Sequence, residues 1–270
     1  MPATDADPTS ADHAEYLSRA VREAGALALT KFRSPIKSWI KGASSPVCEA
    51  DIEVDQLLRD RLTTYRPDFG WLSEESLDDA ARLAARRVWV VDPIDGTRGF
   101  IAGFTDWAIS AALVEDGRPV AAALFAPATD ELFLARQGGG ATRNGVPINV
   151  SPGERLHGAR VAGPPRRLER LSAISPGIAI VPKIHSLALR IARVAEGALD
   201  AAVAGPNSRD WDLAAADLLV HEAGGALTSL DGQPPIYNRP DPVHGALLAA
   251  GGERHAALLT LMRDRRMDFA

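Results

Sequence analysis

The sequence predicts a mixed α/β (α+β) fold on three observations. An apolar stripe at helical spacing opens the chain, strand-like segments separated by turn dipeptides fill its middle, and short apolar runs alternate with helical patterns in its second half. Residues 1–10 are small and polar, the composition of a frayed terminus. Leu17, Val21, Ala24 and Ala28 then predict a long amphipathic helix reaching about Phe32. A second helix is expected from about Ala50 to Leu62, with Val54, Leu58 and Leu62 on one face and Asp51 in the first turn. Val88-Trp89-Val90-Val91 reads as a buried strand that stops at Asp92-Pro93. Ala108 to Val114, Val120 to Phe125 and Glu131 to Ala135, with turns at Asp116-Gly117 and Asn144-Gly145, predict an antiparallel meander. Beyond residue 158, runs at Ile178 to Val181, Leu199 to Val203 and Ala246 to Ala250 alternate with helical patterns at Ser186 to Glu196, Leu213 to Glu222 and Glu253 to Met262. That half is expected to be α/β in character. The Gly- and Pro-containing stretch Ser151 to Pro165 is the candidate boundary, dividing an α+β half, 1–157, from an α/β half, 158–270.

Composition bounds what such a chain can do. Its 270 residues are 46% hydrophobic and 24% charged, enough apolar material for a substantial core. Thirty Lys+Arg against 35 Asp+Glu leave a net charge of -5, and aromatics make up 6%. Neither a basic face nor an aromatic strip for a nucleic-acid polymer is expected, and a small anionic ligand needs local positive charge. The single cysteine, Cys48, excludes an internal disulfide and a Cys-rich zinc site, and it is expected to pack in the core of a cytoplasmic protein. The N-terminus lacks the basic start and apolar run of a secretory signal, and no stretch approaches about 18 uncharged apolar residues. A chain unattached to any membrane is expected.

The most informative segment is Trp89-Val90-Val91-Asp92-Pro93-Ile94-Asp95-Gly96-Thr97, where a buried strand delivers two carboxylates three residues apart. Two carboxylates in one partly buried place repel, and one protonates unless a cation compensates them. Oxygen donors without nearby His or Cys form a hard ligand set, suited to Mg²⁺ or Mn²⁺ and poor for zinc. If a helical turn starts at Gly96-Thr97, its free N–H groups would face an incoming phosphate. The same string also describes a plain turn, in which Asp caps, Pro fixes φ and Gly accepts positive φ. Two further acidic segments have equally simple alternatives. Glu74-Glu75 fits a solvated loop, and Asp210 or Asp212, like Asp51, fits a helix cap.

Together these segments resemble the inositol monophosphatase superfamily of Mg²⁺-dependent, lithium-sensitive phosphatases, which includes 3'(2'),5'-bisphosphate nucleotidases and some histidinol-phosphatases. The pattern appears as Glu49-Ala50-Asp51, as Glu74-Glu75-Ser76, as the string Asp92 to Thr97, and as Trp211-Asp212 followed by a helix ending Glu222-Ala223-Gly224-Gly225. It covers about residues 14 to 250. The resemblance implies a layered αβαβα sandwich in which both halves form one catalytic unit, commonly as a homodimer. It implies that Glu74, Asp92 and the Ile94 carbonyl hold one Mg²⁺, that Asp92, Asp95 and Asp212 hold a second, and that a third, weaker ion leans on Glu74. Asp51 would orient the Thr97 hydroxyl, which helps to deprotonate a metal-activated water for in-line attack on phosphorus. Gly96, Thr97 and Arg98 would meet the phosphate.

On substrate, the family's inositol phosphatases place a Glu seven residues before the last metal-binding Asp, and here that position is Gly205. The stretch Gly205-Pro206-Asn207-Ser208-Arg209-Asp210-Trp211-Asp212 looks more like that of the bisphosphate nucleotidases, as does a basic residue, Arg98, after Thr97. The resemblance therefore implies a small phosphorylated metabolite, adenosine 3',5'-bisphosphate first, with inositol monophosphate or histidinol phosphate as alternatives. Against this, Gly99 stands where nucleotidases usually have an acid, and Pro182-Lys183-Ile184-His185-Ser186 replaces their Gly-Ser-Gly-like loop. Lys183 and His185 either contact a nucleotide or cap and solvate a helix start, the second being the expectation, and His221 and His244 are expected to be structural or surface residues. A different class of answer is a metabolite-binding regulator that keeps the fold without turnover. The intact set Asp51, Glu74, Asp92, Asp95, Thr97 and Asp212 speaks against it, since a binder needs no water activator.

Overall fold

The computed structural model describes residues 9–42 and 45–264. Helix α1 (Ser10–Lys31) starts one residue after Thr9, whose hydroxyl and N–H exchange hydrogen bonds with Asp12. That capping box orders the last two residues of the segment expected to fray, and residues 1–8 lie outside the described residues. The predicted stripe is buried against a sheet, and Gly25 belongs to it because a Cβ there would lie 2.5 Å from the Phe125 ring. A hairpin that the apolar pattern did not reveal follows, β1 (Ser38–Lys41) and β2 (Ser45–Cys48). Helix α2 (Glu49–Tyr65) buries Val54, Leu58 and Leu62 as expected.

A seven-stranded sheet comes next: β3 (Gly70–Ser73), β4 (Arg87–Asp95), β5 (Ala108–Glu115), β6 (Arg118–Ala126), β7 (Glu131–Arg136), β8 (Ala141–Arg143) and β9 (Val146–Ile148), in that spatial order. Only the β3–β4 pair is parallel; β5 to β9 form the expected meander. Between β4 and β5 lies one short helix, α3 (Thr97–Ile101). The second half adds β10 (Arg160–Ala162), α4 (Pro165–Ile174), β11 (Ala179–Ile180), α5 (Leu187–Ala195), β12 (Ala201–Ala204), β13 (Ser208–Arg209), α6 (Asp210–Glu222), β14 (Gly225–Ser229), β15 (Val243–His244), β16 (Leu247–Gly251) and α7 (Gly252–Asp264).

Its five-stranded sheet has the order β11-β10-β12-β16-β14. Only β10 pairs parallel, with β11 and β12, so the α/β expectation for this half is corrected to a mixed sheet. The run Ile178 to Val181 shrinks to an exposed two-residue edge strand. Helices α1 and α2 cover one face of the large sheet, and α5 and α6 fill the space between the sheets. Leu168 and Leu171 of α4 pack with Leu258, Leu259 and Met262 of α7 on the outer face of the smaller sheet. The result is the αβαβα layering. Central α6 explains its own composition: Leu213, Ala214, Ala215, Ala216, Leu218, Leu219 and Val220 are all buried, as a helix with a sheet on either side requires. Among the described residues no helix is long and apolar enough to cross a membrane.

Candidate active site

Strand side chains alternate between faces, so Asp92 and Asp95, three residues apart, would point to opposite sides of a regular β4. The pairing with β5 resolves this. Asp92 stands opposite Ser110 and Asp95 opposite Ala108, so three steps on β4 match two on β5. One extra residue is accommodated as a bulge, and Pro93, which has no N–H to donate, lies inside it. Both the expected strand end at Asp92-Pro93 and the plain-turn alternative are corrected here. The strand runs on to Asp95, buried from Val88 onward.

Glu74 arrives from β3, whose parallel register sets Ser73 beside Val91. The Glu74 N–H continues this ladder by donating to the Val91 carbonyl at 3.3 Å, leaving Glu74 beside the position of Asp92. The solvated-loop alternative is thereby corrected. Asp55 of α2 accepts hydrogen bonds from the Ser73 and Ser76 hydroxyls and ties down both ends of the acidic segment. Lys41 of β1 donates to the Glu74 carbonyl at 2.7 Å and to Glu75 Oε1 at 2.9 Å, a cation that no sequence signal singled out. The Glu75 side chain is only 4% exposed.

Asp212 sits in the first turn of α6, where its Oδ2 accepts the Arg209 N–H at 2.6 Å. The capping expectation and the cluster expectation therefore coexist in one side chain. Asp92, Asp95 and Asp212 each present an oxygen within 4.8 Å of the others. Asp210 faces elsewhere, fully buried and holding the Asn238 N–H and His244 Nε2, each at 2.7 Å. His244 is thus the structural residue expected.

Asp95 Oδ2 is held by the Ser186 hydroxyl at 2.5 Å and the Ala188 N–H at 2.6 Å. Even so, burial raises its carboxyl above the ordinary range. Asp92 and Asp212 are pushed well above that range, by burial first and then by their like-charged neighbours. Glu74 is raised to about 7, again by burial, with Lys41 pulling the other way. Asp92 Oδ1 is buried with no hydrogen-bond partner among the described residues. An orphaned carboxylate oxygen inside a cluster of mutually repelling acids fits a hard divalent cation.

On the adjoining side, Asp51 reaches both ways. Its Oδ2 accepts the Cys48 N–H at 2.9 Å and the Cys48 thiol at 2.8 Å, while Oδ1 accepts the Thr97 hydroxyl at 2.9 Å. Burial raises the Asp51 carboxyl. Cys48 is buried as expected, and its contact with Asp51 is an addition that packing arguments could not supply. The Thr97 hydroxyl also lies 3.0 Å from the Ile94 carbonyl.

Gly96, at φ +96°, precedes α3 and needs glycine twice over: a Cβ there would also lie 3.1 Å from the Ser186 nitrogen. Helix α3 is a five-residue turn, shorter than an anion-binding helix start would suggest, and Arg98 on it is exposed. Ser186, not His185, caps α5, accepting the Leu189 N–H at 2.9 Å. His185 instead binds Asp106 through its N–H and Nδ1 and stacks on the half-exposed Phe104 at 4.6 Å. Lys183 is exposed, as expected.

A buried strand, a parallel neighbour and a central helix thus bring acids from distant parts of the chain to one point. The chain belongs to the inositol monophosphatase family, whose sequence profile matches residues 11–266. It is a hydrolase of phosphoric monoesters within a metal-dependent family. It is 37% identical to the inositol-1-monophosphatase of Rhizobium meliloti over 205 residues, 72% of this chain and 75% of that protein. Identity to the histidinol-phosphatase of Mycobacterium tuberculosis is 36% over 228 residues, 80% and 84% of the two chains. Identity to the 3'-phosphoadenosine 5'-phosphate phosphatase of Mycobacterium bovis is 35% over 221 residues, 79% and 80%. The solved structure of a Thermotoga maritima IMPase matches with a TM-score of 0.82 at 26% identity, covering 96% of this chain and 100% of that one.

Proposed function

We propose that this phosphatase is Mg²⁺-dependent and removes the 3'-phosphate of adenosine 3',5'-bisphosphate, yielding AMP and phosphate. The metal part of the reading rests on the converged oxygens of Asp92, Asp95 and Asp212 beside a raised Glu74. Glu74, Asp92 and the Ile94 carbonyl would hold one ion and Asp92, Asp95 and Asp212 a second, with a weaker third at Glu74; Mn²⁺ would satisfy the same donors. When bound, the ions supply positive charge that acidifies a water and offsets the charge on the leaving alkoxide.

The chain's own residues handle the proton. Thr97 has one hydroxyl hydrogen and two acceptors in reach, and the Asp51 carboxylate at 2.9 Å is the stronger. With its hydrogen directed at Asp51, Thr97 Oγ1 turns lone pairs towards the site and accepts a proton from the attacking water. Asp51 takes the Thr97 proton in turn, made more basic by its burial. The Cys48 thiol, pushed up to about 12, stays protonated and keeps donating to Asp51 Oδ2, which fixes the carboxyl's orientation. Residues 1–157 supply Asp51, Glu74, Asp92, Asp95 and Thr97, residues 158–270 supply Asp212, and the two halves work as one catalytic unit.

The nucleotide reading rests above all on Gly205. A Cβ there would meet only Pro164 Cγ, at 3.8 Å, so the position has room for the acid with which inositol phosphatases grip ring hydroxyls, yet carries none. The Gly96 and Thr97 backbone meets the scissile phosphate, and the exposed Arg98 pairs with the second phosphate. The exposed face of Phe104, stacked on His185, suits a purine ring. Histidinol phosphate and inositol 1-phosphate are the alternatives, favoured by relatives of comparable identity.

The test is phosphate release, with and without Mg²⁺, from adenosine 3',5'-bisphosphate, inositol 1-phosphate, histidinol phosphate and fructose 1,6-bisphosphate, with Asp95→Asn as control. A Mg²⁺-dependent preference for the nucleotide, lost in the variant, is expected. Preference for another substrate overturns the nucleotide assignment alone, and no release from any substrate favours a metabolite-binding regulator with this fold.

A further inference from the structure

Helix α5 approaches the carboxylate cluster with its N-terminal turn. Ser186 and Ala188 hold Asp95, and Arg190 lies one turn beyond Ser186, its N–H donating to the Ser186 carbonyl at 3.1 Å. Arg190 is therefore on the side of α5 that carries the Asp95 contacts. Its side chain is unusual. Nε is buried without a partner, and the guanidinium makes no hydrogen bond or ion pair with any described residue. Arg193 on the same helix shows the ordinary arrangement, bonded to Glu131 at 2.8 Å and to Glu196 at 2.6 Å. Arg190 as a whole is half-buried, and a partly desolvated cation is stabilised by opposite charge nearby. Burial lowers the affinity of this guanidinium for its proton, and the nearby Asp95, bonded to the first turn of the same helix, and Asp212 counter that effect.

We propose that Arg190 is a resident counter-cation of the Asp95–Asp212 side of the cluster, offsetting carboxylate repulsion when no metal is bound and weakening the ion that binds there. This rests on the metal-site reading and adds to it a determinant of how much Mg²⁺ the enzyme requires. A fixed positive charge facing the same carboxylates repels a divalent ion through a poorly screened interior, where such terms are large. Its presence has two linked consequences. The metal-free protein is more stable than its acidic cluster alone would allow, and the ion on the Asp95–Asp212 side exchanges more readily.

The experiment titrates the full-length, chelator-treated chain with Mg²⁺ by calorimetry and follows thermal unfolding with and without Mg²⁺, for the unmodified protein, Arg190→Met and Arg190→Lys. Arg190→Met is expected to bind the ion on the Asp95–Asp212 side roughly tenfold more tightly. It is also expected to melt at a lower temperature without metal and to gain more from added Mg²⁺. Arg190→Lys keeps the charge and is expected to bind like the unmodified chain. If Arg190→Met does not fold, Arg190→Gln carries the same measurement. An affinity in the neutral variant within twofold of the unmodified chain overturns the proposal, as does an equal gain in Arg190→Lys. If the unmodified chain binds no Mg²⁺, the metal-site reading itself fails, and this inference with it.

Discussion

Asp51 and Asp212 each do two things with one carboxylate, and this shapes what a substitution can be expected to reveal. Each reaches back from the first turn of its helix to a backbone N–H, of Cys48 and of Arg209, and each also faces the site. Removing either side chain perturbs helix and chemistry together. Thr97 separates the two more cleanly, because among the described residues its hydroxyl hydrogen-bonds to Asp51 and to the Ile94 carbonyl. Thr97→Ala is expected to lower kcat by about 10²–10³-fold, the scale of a lost general base, while leaving the calorimetric affinity for Mg²⁺ nearly unchanged. A variant that loses Mg²⁺ binding along with turnover would move Thr97 from proton transfer to metal binding.

At the scale of elements, the site depends on two local departures from regular structure. The β4 bulge puts Asp92 and Asp95 on one side, and the left-handed Gly96 turns the chain from β4 into α3 against the start of α5. Both features fit the residues present: Pro93 in the bulge has no N–H to lose from the ladder, and Gly96 has no Cβ to strike Ser186. Gly96→Ala introduces a strained φ and a Cβ about 3.1 Å from the Ser186 nitrogen. The expected cost is on the order of 1–3 kcal/mol, read as a fall of several degrees in Tm. Because Ser186 holds Asp95, kcat is expected to fall with it, by tenfold or more. A drop in Tm with full activity would show that the Ser186–Asp95 contact tolerates displacement.

For the whole molecule, the central layer decides stability. Helix α6 is enclosed by both sheets, and the half-buried Asp217 on it accepts the Tyr237 hydroxyl at 2.9 Å. Burial raises its carboxyl to about 6 against an ordinary 3.8. The folded protein therefore holds this proton while the unfolded chain releases it, so stability falls as pH rises from about 4 to about 6 and stays reduced above that. Asp217→Asn keeps an acceptor for Tyr237 and removes the ionisation. The variant is expected to match the parent near pH 4 and to exceed it above pH 6 by on the order of 2 kcal/mol, a few degrees in Tm. A difference that does not grow between pH 4.5 and 7 would rule out Asp217 as its source.

Much of this molecule was legible in the sequence, for identifiable reasons. Long periodic segments declared themselves: α1 and α2 by their apolar stripes, and β5 to β7 by β-rich runs broken at turn dipeptides. The acid residues were visible because Asp92-Pro-x-Asp95 and Trp211-Asp212 are local strings. What remained hidden depends on partners distant along the chain. Strand β3 has too few residues to show a period and exists because it pairs with β4. The β1–β2 hairpin, with its exposed Trp39 and Ile40, lacks an apolar face that would mark it, so Lys41 could not be placed beside Glu74 and Glu75. Whether Asp92-Pro93-Ile94-Asp95 is a turn or a bulge is settled by the register of β5, more than ten residues further on. Arg190 reads in sequence as one more charge on an amphipathic helix, and only the packing of α5 against α6 half-buries it on the side of the helix that holds Asp95. The sequence by itself determined which residues could carry metal chemistry, because ligand type and helix and strand periodicity are local properties. The tertiary structure alone decided which of them meet, because convergence and burial are properties of packing, and packing sets both the charge balance and the pKa of every acid in the cluster.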